Sequence, residues 1–268
     1  MQKRILIVSQ EVFPYISDGD IAESVLDLAK IVKKNPGVEV RLMMPKYGCV
    51  NERRHQLHEV IRLSGVNIVV NDIDQPLIVK VASIPQARLQ VYFIDNDEYF
   101  QRKLVLNEKN NSPIKDNDER MMFFCRGVLE TLQMLGWSPN IIHCHGWFTS
   151  LLPLYLKTIY CNHPVFDQTK IISSFYKKSL KGSLDKELIN KIKFDGIDDQ
   201  SLEWIKQANF DNLYKIAGQF SDGVVFENNY KNSALLDFLT KAETPVLNPE
   251  EQAEYYNFYQ NFFSEALV

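Results

Sequence analysis

The sequence predicts an α/β protein: a doubly wound, Rossmann-like parallel sheet with added antiparallel strands. Three observations carry this prediction. Short apolar, β-branched runs at 5–8, 38–44, 140–144, 170–174 and 223–226 alternate with segments of helical period. The first run opens through a glycine-containing loop, 9–19, directly into a helical pattern, the arrangement by which α/β proteins present a helix N-terminus to an anionic ligand. Three middle runs, 66–70, 77–82 and 89–94, follow one another with only short polar separators, 71–75 and 83–88, as in a meander or hairpins added to a parallel sheet.

Taken in order, the first helix begins near Asp20, where Ile21, Val25, Leu28 and Val32 recur at helical spacing. Lys33 and Lys34 fall in its last turn, and Asn35-Pro36-Gly37 stop it. Residues 3–44 then read as a βαβ unit with a right-handed crossover. Residues 107–119 form a polar, mobile loop without periodicity. A strong helix emerges from Arg120, with Met121, Phe124, Val128, Leu132 and Leu135 in one stripe, and ends at Gly136. Helices are expected at 148–160, over much of 183–219 with a break at 195–199, and near 229–240, with 223–226 as the last strand. Asn248 as N-cap, Pro249 at the first helical position and Glu251 completing a capping box predict a C-terminal helix. Its Tyr255, Tyr259 and Phe262 fall at i, i+4, i+7, so at least one face must be buried.

With 268 residues, 45% of them hydrophobic, the chain can bury a full core. A net charge of −4 gives no basic footprint for nucleic acid. No apolar run approaches the roughly 20 residues needed to span a bilayer, and Lys3-Arg4 lead into a strand rather than a signal-peptide core. A cytoplasmic protein without membrane or nucleic-acid partners is expected. Cys49, Cys125, Cys144 and Cys161 show no C-x-x-C spacing and read as reduced thiols.

Three segments resemble a known family. KRILIVSQEVFPY at 3–15, VEVRLMMPKYG at 38–48 and NIIHCHGWFTSLLPLYLK at 140–157 look like the N-terminal domain of bacterial glycogen and plant starch synthases, and SDGVVFENNYKNSALL at 221–236 fits more loosely. These are retaining, ADP-glucose-dependent glucosyltransferases of the GT-B architecture. The resemblance implies one half of such an enzyme: residues 1–247 as the Rossmann-like domain, and 248–268 as an aromatic helix packing on it, as the family's C-terminal helix crosses back. A dimer interface is the alternative for that helix.

The motifs depart from the family where it does its chemistry. Its first loop reads Glu-x-x-Pro-Phe-x-Lys-x-Gly-Gly-Leu-x-Asp. Here Glu11, Pro14 and Gly19 remain, but Ser17 stands at the lysine, Asp20 at the second glycine and Glu23 at the aspartate. Asp18 and Asp20 are expected to cap their own helix and to repel a diphosphate. Its His-x-His-Asp-Trp-His appears as His143, Cys144, His145, Gly146, Trp147 and Phe148, without the aspartate and third histidine. Its Thr-x-His-Asn appears as Ser173, Ser174, Phe175 and Tyr176.

The candidate sugar- or glucan-binding residues are therefore Glu11, Ser17, Gly19, His143, His145 and Trp147, and no residue is assigned a catalytic role. His143 and His145 alternate on a strand and face the same way, as sugar contacts, as a metal pair or as two structural histidines bonded to backbone. No carboxylate lies at ligand spacing, so no metal is expected; no cofactor is expected either. Trp147 and Cys144 read as core, and Lys177, Lys178 and Lys181 as a solvated cluster.

The expected function is that of a glycogen/starch-synthase-like protein of glucan metabolism. It would not transfer glucose from ADP-glucose alone, because the second nucleotide-binding domain and the loop lysine are absent, and would serve as a glucan-binding or regulatory subunit. The alternatives are an active transferase completed by a partner chain and a non-enzymatic interaction module. Expected partners are a glucan or maltooligosaccharide and either a separate nucleotide-binding half or a second copy.

Overall fold

The computed structural model describes residues 2–17, 20–110, 112–177, 182–227, 230–251 and 253–263. Strand β1 (Lys3–Ser9) is followed by α1 (Asp20–Lys33) and β2 (Val38–Pro45), the predicted βαβ unit. The α1 stripe Ile21, Val25, Leu28 and Val32 is buried, and the Asn35 side chain caps the last turn by donating to the carbonyls of Ile31 and Val32. Next come α2 (Glu52–His55), β3 (His58–Glu59), β4 (Asn67–Val70), β5 (Ile73–Pro76), β6 (Ile78–Ile84) and β7 (Leu89–Asp95). Then follow α3 (Asp97–Phe100), α4 (Asn117–Leu135), β8 (Ile141–His145), α5 (Leu151–Thr158), β9 (Lys170–Phe175) and α6 (Leu188–Phe194). The chain continues through α7 (Phe210–Gln219), β10 (Gly223–Phe226), α8 (Ser233–Lys241), β11 (Val246–Leu247) and α9 (Ala253–Gln260).

Among the described residues nine strands form one sheet, in the order β11-β10-β9-β8-β1-β2-β7-β6-β3. It is parallel from β11 to β7; β6 pairs antiparallel with β7, and β3 antiparallel with β6. Right-handed crossovers in both directions from β1 place α1 on one face and the mutually packed α4, α5, α7 and α8 on the other. The strands β8–β10 would then be bare on the α1 face. Helix α9 lies there, beside α1. Gly223 at the start of β10 admits it: an added Cβ would stand 2.7 Å from Phe262 and 3.0 Å from Phe258.

Several elements depart from the sequence prediction. The strand at 66–70 does not join the sheet; β4 pairs with β5, which falls largely within the expected separator 71–75. Asn71 and Asp72 both have positive φ, +52° and +61°, the backbone of a type I′ hairpin that Asn and Asp tolerate. The polar stretch 107–119 is shorter and more anchored than expected. Asn107 bridges Pro113, Ile114 is buried, and α4 begins at Asn117, whose side chain donates to Leu106 O at 2.8 Å. In place of a helix over 148–160, a 3-10 turn (Trp147–Thr149) precedes the shorter α5. β10 is not the last strand, since β11 pairs beside it, and α8 starts at Ser233 behind an Asn232 N-cap. Helix α9 starts at Ala253, not Pro249. The Glu254 carboxylate accepts the N–H groups of Glu250 and Glu251, replacing the capping box expected from Asn248 and Glu251.

Candidate functional site

Strand parity sorts the residues at the C-terminal edge of the sheet. Cys144, Phe175 and Phe226 point toward α4 and α7: Phe175 stacks on Tyr214 of α7 at 4.2 Å. His143, His145, Ser174 and Glu227, at the alternating positions, point toward α9. The two imidazoles share a face through their i, i+2 spacing, with ring centroids 4.0 Å apart.

These residues form one buried network. Tyr259 of α9 meets His143 Nδ1 at 2.5 Å, and His143 Nε2 meets Ser174 Oγ at 2.7 Å. Ser174 donates to Glu227 Oε1 at 2.6 Å, and Tyr255 of α9 donates to Glu227 Oε2. Because Ser174 gives its proton to Glu227, its oxygen accepts from His143 Nε2–H. His143 Nδ1 then accepts from the Tyr259 hydroxyl. His145 Nδ1 meets the Tyr176 hydroxyl at 2.8 Å, while its Nε2, also buried, has no hydrogen-bond partner among the described residues.

Burial governs the charges. It pushes His145 down to about 3, and together with the neighbouring His145 it holds His143 well below its ordinary value, so both rings are neutral at pH 7. Burial raises Glu227 despite the hydrogen bonds from Ser174 and Tyr255. Among the described residues no cation pairs with Glu227.

A second set of contacts stitches the β1 and β8 loops together. The Gln10 backbone N–H donates to His145 O at 3.4 Å, and its side chain accepts from Phe148 N–H at 3.3 Å. Gly146 has φ +85° and ψ 161°, and an added Cβ would stand 2.3 Å from Gln10 Oε1. Glycine at the family's aspartate position is thus set by backbone conformation and by Gln10. Glu11 is buried beside Gln10, with its N–H held by Ser9 Oγ at 3.1 Å. Trp147 is buried edge-on to Phe148 and reads as core. Ser17 is exposed. Gly19 lies outside the described residues, as do Asp18, Lys178, Lys181 and the side chain of Asp20.

Sequence reasoning passed over Ser174, Glu227 and the tyrosines' role, and also Arg120. That guanidinium is fully buried among Tyr47, Phe100 and Phe148 and donates to Tyr99 O and Asn117 Oδ1. Parity along β9, from Ser174 to Tyr176, was the available signal for the serine. Nothing local marks Glu227.

With this geometry in hand, residues 4–234 match the family described as starch synthase catalytic domain. Glycogen synthases of Chlorobium limicola and Pelodictyon phaeoclathratiforme are 39% and 38% identical over 190 residues, covering 70% of this chain and 39% of theirs. The chain therefore spans well under half the length of these relatives. The catalytic domain of starch synthase IV from Arabidopsis thaliana, bound to ADP and acarbose, superposes with a TM-score of 0.74 at 20% identity, covering 92% of this chain and 52% of that one. The fold is that of a GT-B glycosyltransferase lobe. The chain belongs to the starch synthase catalytic domain family. Among its described residues no helix is long and apolar enough to cross a membrane.

Proposed function

We propose that this chain is a glycogen/starch-synthase-like protein of cytoplasmic glucan metabolism that does not itself transfer glucose, and that it acts as a glucan-binding or regulatory subunit. In this reading residues 1–247 are the Rossmann-like domain and 248–268 are its cap. One observation carries it: the tyrosines of α9 occupy the C-terminal edge of the sheet and are hydrogen-bonded to His143 and Glu227. A retaining GT-B site forms when two lobes close on a donor and exclude water. Here His143, the first histidine of the family motif, is bonded on both ring nitrogens within the chain. Ser17, exposed where the family has a lysine, removes a cation that a diphosphate would need.

Two measurements on the purified chain test this together: glucose transfer from ADP-glucose and UDP-glucose to glycogen, and calorimetric titration with maltooligosaccharides. Binding without transfer is expected. Transfer by the chain alone would overturn the reading in favour of a working enzyme. Neither binding nor transfer would point to an interaction module.

A further inference from the structure

We propose that His143, His145 and Glu227 are the ligands of a structural divalent transition-metal site, with zinc(II) as the ion that best fits two imidazoles and one carboxylate. The three residues each offer one ligand atom, and all of these atoms lie within 4.8 Å of one another. They come from adjacent positions on one face of β8 and from the end of β10, brought together by β9 between them. Sequence spacing shows no carboxylate near the histidines; the parallel crossovers supply it.

Three independent features point to a cation. His145 Nε2 is buried and, among the described residues, without a hydrogen-bond partner, a state in which folded proteins seldom leave a buried polar atom. Glu227 is a buried carboxylate whose partners among the described residues are two hydroxyls and no positive group. Both histidines are held at Nδ1 by tyrosine hydroxyls, Tyr259 at 2.5 Å and Tyr176 at 2.8 Å. Outer partners on Nδ1 hold the orientation of an imidazole that ligates through Nε2.

Ser174 Oγ now bridges His143 Nε2 and Glu227 Oε1. Metal binding requires that hydroxyl to rotate away and His143 to change tautomer, its proton moving from Nε2 to Nδ1, where the N–H donates to the Tyr259 oxygen and the Tyr259 O–H turns away. No net proton is released. Two neutral imidazoles and one carboxylate suit zinc better than calcium or magnesium, which prefer oxygen sets. With Tyr255 and Tyr259 closing the site, the role is structural: the ion would pin α9 to the sheet.

The test uses the full chain with the exposed thiols removed (C49S/C161S), stripped with chelator and titrated with Co²⁺ as an optical probe and then Zn²⁺. One ion per chain is expected, with cobalt d–d bands and no thiolate charge-transfer band. Zn²⁺ at a hundredfold excess over Kd should raise Tm by about 5–10 °C. The variants H145Q and E227Q should each weaken binding by on the order of a hundredfold, with folding checked by near-UV circular dichroism. Should both variants fail to fold, the histidine ¹⁵N spectrum of the C49S/C161S chain decides. Zn²⁺ must shift Nε2 of His143 and His145. Absence of uptake at millimolar metal, unshifted Nε2 resonances, or binding that persists in folded H145Q/E227Q would overturn the assignment. None of these readouts depends on glucose transfer.

Discussion

Asp222 and Glu227 stand immediately before and after β10, and the fold satisfies them in opposite ways. Asp222 receives Lys157 Nζ at 2.8 Å, Lys170 Nζ at 3.3 Å and the Ile171 N–H at 2.9 Å. Its burial raises the carboxyl, but the two lysines and the backbone donor outweigh that and hold it below the usual aspartate range. Glu227 is more deeply buried, has only hydroxyl partners among the described residues, and is held above the usual glutamate range. At the N-terminal end of the strand a carboxylate ties β9, β10 and α5 together. At the C-terminal end, where α/β proteins place their ligands, charge is left uncompensated in a polar cluster. The difference separates a structural ion pair from a candidate ligand site, and single substitutions at the two ends test it.

The largest effect is expected from Tyr259→Ala. Losing a buried aromatic ring and orphaning His143 Nδ1 should cost about 3–5 kcal/mol, read from the urea midpoint. A cost under about 1 kcal/mol would mean that α9 is not part of the core. Gly146→Asp, which restores the family's residue, should follow at about 2–4 kcal/mol. It forces a side chain into a backbone region reserved for glycine and against Gln10. A crystal structure of that variant should show Gln10 displaced.

At the ion-paired end, Asp222→Asn should cost about 1.5–3 kcal/mol at pH 7. Because the folded pKa of Asp222 lies below the roughly 3.9 of an unfolded aspartate, its contribution is complete above that value and is lost as pH falls through the folded pKa. The stability gap between wild type and variant should therefore close below about pH 4. A constant gap down to pH 2 would show that charge is not the cause. Glu227→Gln in metal-free protein should be the smallest change, within about 1 kcal/mol of wild type and on the stabilising side. A loss as large as that of Asp222→Asn would erase the contrast between the two ends of β10.

The sequence made one layer of this legible. The apolar runs and the α1 stripe located β1, α1 and β2, because a buried parallel strand and an amphipathic helix are both written locally. Period-two alternation correctly placed His143 and His145 on one face. The reading failed where structure depends on partners far along the chain. Hairpin β4–β5 hides in a polar segment whose Asn71-Asp72 turn is its only local sign. Matching 173–176 to the family's Thr-x-His-Asn gives Ser174 no role, and so misses that it joins His143 to Glu227 across three strands. The α9 tyrosines read as burial, which they are, but their hydroxyls reach residues that only the crossovers bring near. Helix α9 itself was misplaced because Pro249 resembles a start, whereas Glu254 gathers the free N–H groups.

The most direct test of the closed edge is hydrogen exchange at the α9 amides, residues 253–260, compared with β8 in the same protein. Protection of α9 approaching that of β8, unchanged by ADP-glucose, is the expected result. Amides of α9 that exchange at loop-like rates while β8 stays protected would contradict it, because the C-terminal edge of the sheet would then be open to a donor.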